Sequence, residues 1–243
     1  MELSTATWPE IRELETDLAV LPVGSTEQHG PHAPLGTDAF TAEAVAQAGV
    51  EAYREATGTE VPVGPTVPVG IAAEHRAFDG TLWVSPDTFR AYVRETIESL
   101  ASHGFDRIVV VNGHGGNIDA LGEVAATVSR ETDAYAVAFT WFNAVDAEEP
   151  MGHGGPLETA LVSHIDAELI REAHLEAARD GGSDRWGEWV AGVNLAHDSA
   201  EFTDNGVVGD PTAASEALGA DLCAQAADAL CTLLEAVATR SRD

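Results

Sequence analysis

Gly24-Ser25-Thr26-Glu27-Gln28-His29-Gly30-Pro31-His32, running on to Gly36-Thr37-Asp38, is the stretch whose reading decides the fold. An apolar run, Leu18-Ala19-Val20-Leu21-Pro22-Val23, leads into it, and an apolar-periodic stretch from Phe40 leads out. That order predicts a strand, a functional loop and a helix. Side chains at i and i+2 of extended backbone point the same way, so Glu27 and His29 can face one ion together. Asp38 stands where the loop turns into the helix and can close on the same point. The expectation is a metal site.

The same grammar recurs downstream. Residues 107–111 (Arg107-Ile108-Val109-Val110-Val111) suit a strand buried on both faces. They end in Asn112-Gly113-His114-Gly115-Gly116-Asn117, after which a helix runs to about Arg130. Another strand is expected at 134–140, and a helix from Pro156 to about Ala178 with a break near Asp166. Residues 7–14 read as a short helix with Pro9 in its first turn. The helix after the first loop is expected from about Asp38 to Thr57. Pro62, Pro65 and Pro68 make 61–69 an irregular extended segment rather than a central strand. A second irregular loop, 70–80, and a short run at 81–84 precede Ser85-Pro86-Asp87, which caps a helix reaching about His103. Residues 181–204 are weakly patterned, read as loop with one short strand. Asp210-Pro211-Thr212 is read as the cap of a long helix ending near Thr239. Strands alternating with helices imply an α/β fold with a mainly parallel sheet and helices on both faces. With no repeat, low-complexity tract or linker, one domain over 1–243 is expected.

Composition narrows the partners. Acids number 41 against 12 bases, every base an arginine, for a net charge of -29. That balance excludes nucleic acid and anionic membranes as partners, because phosphate binding needs a basic footprint. The 44% apolar content opposes disorder. A folded protein with a strongly hydrated acidic surface is expected, as in salt-adapted cytoplasmic proteins. Its self-repulsion needs screening, so stability should rise with salt. Cys223 and Cys231 lie eight apart in a helical pattern, a rise of roughly 12 Å against a disulfide limit of about 7 Å. Core-facing thiols in a reducing compartment follow. Neither a charged-then-apolar leader nor an apolar run near membrane-span length is read, so a cytoplasmic protein is expected.

In open parallel sheets, ligands bind beyond the carboxyl ends of the strands. Glu27, His29 and Asp38 follow the first strand, and His114 follows the second. A third cluster, Gly152-His153-Gly154-Gly155-Pro156-Leu157-Glu158-Thr159, follows the third strand and opens a helix. A phosphate cradle at 113–117 is the competing reading, but its spacing fits neither the dinucleotide nor the P-loop pattern and the chain has no lysine. A mixed nitrogen and oxygen set suits Zn, Mn or Fe(II). Glu27, His29, Asp38, His114 and Glu158 exceed what one tetrahedral ion needs. Two ions sharing Asp38 as bridge, at roughly 3.5–4 Å separation, absorb them all. Such a pair activates water against an amide, and His153 is the unassigned imidazole for the leaving nitrogen. A non-catalytic metal or metabolite binder on the same fold is the alternative of another class. His32 reads equally as substrate contact or loop histidine. His103, His164 and His174 read as surface residues on helices, and His197 has no reading.

These segments, in this order and spacing, resemble the creatininase (creatinine amidohydrolase) family from about residue 15 to the end of the chain. Glu74-His75-Arg76-Ala77-Phe78-Asp79-Gly80-Thr81 resembles a fourth family segment, in which Pro stands at the position of Asp79. Gly206-Val207-Val208-Gly209-Asp210-Pro211-Thr212 resembles a fifth. The resemblance implies a three-layer α/β/α sandwich, a two-metal amidohydrolase of a small-molecule substrate, and a homo-oligomer, often a hexamer. It matches Glu27, His29, Asp38 and His114 to metal ligands with Asp38 as bridge, and His153 to a histidine of proton transfer. His32 and His75 are the candidate substrate contacts.

Two departures from creatininase itself stand out. Gly116 replaces a metal-binding Glu, and Gly152 replaces the Glu before the third motif's His. Either Glu158 supplies the missing carboxylate or the second ion is weak or absent. The Gly115-Gly116 pair resembles other branches, among them a formylamino-pyrimidine deformylase of riboflavin and deazaflavin synthesis and the peptidase that trims the mycofactocin precursor. A lysine-free acidic chain suggests a halophilic archaeon, so a formamide is the preferred substrate over creatinine or a peptide.

Overall fold

Leu18–Val23 forms strand β1, Arg107–Asn112 strand β2 and Tyr135–Thr140 strand β3, hydrogen-bonded side by side in that order and all parallel. The computed structural model describes residues 1–241. β1 and β2 are β-branched or aliphatic almost throughout and buried nearly end to end, as strands covered on both faces must be. In register, Val23 lies level with Asn112 and Asn112 with Thr140, so the three strands stop at one height and their following loops share one space.

The helices are α1 (Trp8–Arg12), α2 (Thr37–Thr57), α3 (Pro86–Ala101), α4 (Ile118–Glu131), α5 (Pro156–Ile165), α6 (Leu175–Asp180) and α7 (Glu216–Thr239). The two-residue side-chain period of a strand splits the core between them. Leu18, Val20, Val109 and Val111 face α2, α5 and α7, whose Val45, Leu161, Leu222 and Leu230 are buried there. Ala19, Leu21, Val23, Ile108 and Val110 face the opposite layer, with Phe89, Val93 and Ile97 of α3 and Leu121 and Val128 of α4. Each such fully buried aliphatic side chain contributes about 1.5–3 kcal/mol. A three-layer α/β/α sandwich results.

Residues 61–69 run beside β1 as expected of a proline-rich edge. Val20 N–H donates to Pro62 O, Gly64 N–H to Val20 O and Val67 N–H to Pro22 O, leaving the prolines where no donor is needed. Ser85 caps α3 through a hydrogen bond from Thr88 N–H, with Pro86 at its first position.

Several expectations are corrected. The break expected near Asp166 is present: α5 stops at Ile165, Asp166 leaves the helical region at φ -159° and caps a short turn through Glu168 N–H, and α6 resumes at Leu175, so what differs is the irregular turn-rich stretch between them. Asp210 caps only the turn Pro211–Ala213, whereas Ser215 caps α7 by accepting from Leu218 N–H. Residues 189–194 form a hairpin of two short strands, β4 (Trp189–Val190) and β5 (Val193–Asn194), instead of one strand. Cys223 and Cys231 are half-buried free thiols at the edge of the core. α7 is 24 residues long and contains an 18-residue window of mean hydropathy 1.3, so by length and composition it could cross a membrane, contrary to expectation. Its Leu222, Leu230 and Leu234 are buried against the core, and Asp221, Asp228 and Glu235 are exposed on its other side.

Candidate metal centre and active site

The loops at the carboxyl ends of β1 and β2 bring four predicted ligands together. Glu27, His29, Asp38 and His114 are 0%, 0%, 1% and 4% exposed. Their placement is held by two asparagines. Asn112 Oδ1 accepts from His114 N–H at 3.1 Å while its Nδ2 donates to His114 O at 2.8 Å, clamping the turn after β2. Asn117 Nδ2 donates to Gly24 O at 3.0 Å and its Oδ1 accepts from Ile71 N–H at 3.0 Å, tying the β1, β2 and 70–80 loops together. Asp38 sits in the first turn of α2, where backbone N–H groups favour a carboxylate.

Asp38 stands between two imidazoles. Its Oδ1 is 3.1 Å from His29 Nε2 and its Oδ2 is 3.3 Å from His114 Nδ1. His114 Nδ1 is also 3.1 Å from Glu27 Oε1. The opposite ring nitrogen of each histidine donates to a backbone carbonyl. His29 Nδ1–H meets Glu27 O at 3.1 Å, and His114 Nε2–H meets Ile71 O at 2.7 Å. Those bonds assign the tautomer of each neutral ring, so the inner nitrogen is the one that takes up a proton or a metal ion.

Glu158, in the first turn of α5, completes the ring. Its Oε1 is 3.6 Å from His29 Nε2, and its Oε2 accepts from Gly154 N–H at 2.6 Å. Gly116 has no room for the carboxylate that the resemblance puts there: a Cβ would lie 2.4 Å from Ile71 O and 2.5 Å from His114 Nε2. Glu158 approaches from the other side of the site instead. His153 donates Nε2–H to Gln28 O at 2.6 Å, and its Nδ1 lies 3.8 Å from Glu27 Oε1.

The remaining predicted residues divide. His75, on the turn Ala73–His75, lies against the cluster with Nε2 3.5 Å from Glu27 Oε1. His32 is fully buried behind it, its Nε2 2.8 Å from Thr159 Oγ1, and does not line the cavity. Burial there pushes its pKa down to about 4. His103, His164, His174 and His197 are all exposed. His153 lies between His29, tilted to it with centroids 4.3 Å apart, and His75, stacked on it at 4.2 Å, and Trp186 meets His153 and His75 edge-on.

Above the cluster opens a cavity of about 560 Å³. Its outer wall uses Phe142, Met151, Arg185, Trp186 and Val208, none singled out from the sequence as site residues. Trp186 carried the only available signal, an aromatic in a polar, weakly patterned segment. Gln28, inside the first motif, gives no signal of its role, because its Nε2 partners His75 and Gly206 are distant in the chain.

Electrostatics point to a cation. Burial opposes charge on His29, but Asp38 and Glu158 override it and hold its pKa well above the ordinary value. Glu27 and Asp38 do the same to His114. Burial lowers the pKa of both His153 and His75. Both carboxylate oxygens of Glu27, together with His29 Nε2 and Asp38 Oδ2, are buried without an aligned hydrogen bond. Leaving such groups uncompensated costs several kcal/mol each, so the donor set fits a divalent ion. Glu27, His29 and Asp38 form one group with metal-ligand spacing, and His29, His153 and Glu158 another.

Comparison with known proteins agrees. A family model described as creatinine amidohydrolase matches residues 4–234. A mycofactocin precursor peptide peptidase of Mycobacterium ulcerans is 33% identical over 92% of this chain and 83% of its own length. A 2-amino-5-formylamino-6-ribosylaminopyrimidin-4(3H)-one 5'-monophosphate deformylase of Methanobrevibacter smithii is 32% identical over 67% of this chain and 65% of its own. A Bacteroides fragilis protein assigned as a creatinine amidohydrolase has a TM-score of 0.82 at 25% identity, covering 99% of this chain and 97% of that one. Creatininases of the same fold have been solved in Zn–Zn and Mn forms. Family model, relatives and fold together show that the chain belongs to the creatinine amidohydrolase family and is a hydrolase acting on carbon–nitrogen bonds.

Proposed function

We propose that this hydrolase works with two divalent ions, Zn, Mn or Fe(II), and cleaves an amide in a short or modified peptide. The observation carrying the reading is the position of Asp38, whose two oxygens face His29 and His114 separately, as a bridging carboxylate requires. Glu27, Asp38 and His114 would hold one ion, and His29, Asp38 and Glu158 the other. When bound, such ions acidify a water and polarise the amide carbonyl. His153 supplies the proton path: its inward Nδ1 carries a lone pair, takes a proton from the attacking water and returns it to the leaving nitrogen. Phe142, Met151 and Trp186 line the cavity above these groups and give a bound substrate an apolar wall.

The peptide reading is favoured over the sequence preference for a formamide by the wider match, 92% of the chain against 67%. A formylamino-pyrimidine remains the second reading on the strength of the deformylase relative. The test is purified protein loaded with each metal in high salt, assayed on short peptides, a formylamino-pyrimidine and creatinine. New amino termini support the first reading and formate the second. Metal-loaded protein inert on all three sinks both and leaves a metal-binding protein without turnover.

Assembly into a homo-oligomer is part of the same proposal. Trp189, Val190, Val193 and Leu195, each about half exposed, form the apolar surface that supports it. A monomer by light scattering in molar salt refutes it.

A further inference from the structure

By distance alone, Glu27, His75 and His153 look like a third ion site. The hydrogen-bond network around His75 says otherwise. Gln28 Oε1 accepts from Gly30 N–H at 2.9 Å, and Gln28 Nε2 donates to Gly206 O at 3.1 Å. Both partners are backbone groups with one possible role each, so the side-chain amide cannot be turned over. Its second Nε2 hydrogen therefore points at His75 Nδ1, 2.8 Å away. Ser199 Oγ, 2.9 Å from the same nitrogen and 3.1 Å from Glu74 O, has a single hydrogen to offer one or the other. His75 Nδ1 is thus an acceptor, and a neutral ring must carry its proton on Nε2.

This reverses the pattern of its neighbours. His29, His114 and His153 give their N–H to backbone carbonyls and turn a lone pair inward. His75 spends its lone pair outward and turns an N–H inward. That N–H is 3.5 Å from Glu27 Oε1, beyond ordinary hydrogen-bond length, so it is not committed there. His75 also lines the cavity, while its ring is locked between His153 and Trp186.

We propose that His75 is a catalytic residue of this site: a neutral hydrogen-bond donor whose Nε2–H meets the amide carbonyl oxygen of the substrate. As water adds to the carbonyl carbon, the C=O π pair moves onto oxygen, and the waiting N–H bonds it without giving up its proton. A preorganised donor of this kind is worth more in a dry site than in water. The ring is a poor metal ligand in this tautomer, and Gln28 acts as the positioning residue that keeps it so.

The inference rests on the amidohydrolase reading, yet two of its readouts need no turnover. Imidazole 15N NMR of the Zn-loaded protein should show His75 protonated at Nε2 and bare at Nδ1. Metal stoichiometry and affinity should be unchanged in His75→Ala. On a hydrolysed amide, that variant should lose about 10²–10³ in kcat, with kcat/KM falling equally. His75→Gln, which keeps an N–H donor, should recover part of the loss. A proton on Nδ1, loss of a bound ion in His75→Ala, or an unchanged kcat overturns the proposal. Should His75→Ala fail to fold, the wild-type NMR signal and His75→Gln still decide it. Wild-type protein that binds metal but hydrolyses nothing strikes the amidohydrolase reading, while the tautomer is read independently.

Discussion

The floor and the outer wall of the cavity are built on different principles. On the floor, Glu27, His29, Asp38 and His114 come off β1, α2 and β2, and the far nitrogen of each imidazole is bound to the backbone. Buried charge is costly, so the imidazoles are held by the backbone while the carboxylates face them across the site. On the wall, Arg185 and Trp186 sit on the irregular stretch before the β4–β5 hairpin, whose Trp189 and Val193 are 49% and 59% exposed. No strand register determines their positions. The floor is where the chemistry is set, and the wall is where substrate choice can change without disturbing it.

Substitutions can break that division, the largest effect first. Asp38→Asn removes the charge that the proposed mechanism places between the two ions. Metal content by elemental analysis should fall to near zero and turnover should vanish, while circular dichroism keeps the folded signature. Retention of two ions would refute the bridge. His114→Ala should likewise strip metal and abolish activity, and full activity in that variant would remove His114 from the site. Gly116→Ala puts a Cβ 2.4 Å from Ile71 O and 2.5 Å from His114 Nε2. Overpacking of this kind costs about 1–3 kcal/mol, so Tm should drop and metal affinity should weaken with it.

Proton competition sharpens the contrast further. The carboxylates raise His29 and His114, so at a given pH these rings hold protons more tightly than a free histidine does. Metal must displace those protons, hence affinity should rise with pH and its decline on acidification should begin above about pH 6.5. Calorimetry in buffers of different ionisation enthalpy should record proton release, and a pH-independent affinity contradicts the assignment. Trp186→Ala acts on the wall and frees one side of the His75 ring, while leaving the metal ligands in place. Losing one aromatic contact is worth about 0.5–1.5 kcal/mol, so KM should rise up to about tenfold with metal content and Tm nearly unchanged. Salt touches neither region directly. With a net charge of -29, screening should raise Tm steadily between low and molar KCl. A falling Tm would contradict that.

Much of the floor was legible because it is local. The strand at Leu18–Val23, the loop carrying Glu27 and His29, and Asp38 at the head of α2 lie within one short span and obey short-range rules. His114 was legible because β2 ends two residues before it. The helix caps were less so: Asp210-Pro211-Thr212 has the right residue types, but the turn it caps ends at Ala213 and Ser215 takes over. Gln28, Ser199 and Trp186 carried almost no signal. Gln28 meets His75 across 47 positions, and Ser199 meets it across 124. No periodicity reports a hydrogen bond over such distances.

By itself the sequence determined the layered α/β architecture, the acidic surface, the family, and which side chains have the chemistry to hold a metal. These follow from alternation, capping and residue type, which act over a few neighbours. Tertiary structure decided that Glu158 rather than position 116 faces His29, that His32 lies behind the site, and which nitrogen of each histidine carries the proton. The physical reason is one of range. A tautomer is set by whatever donor or acceptor meets the far ring nitrogen, and only the folded chain brings that partner into place.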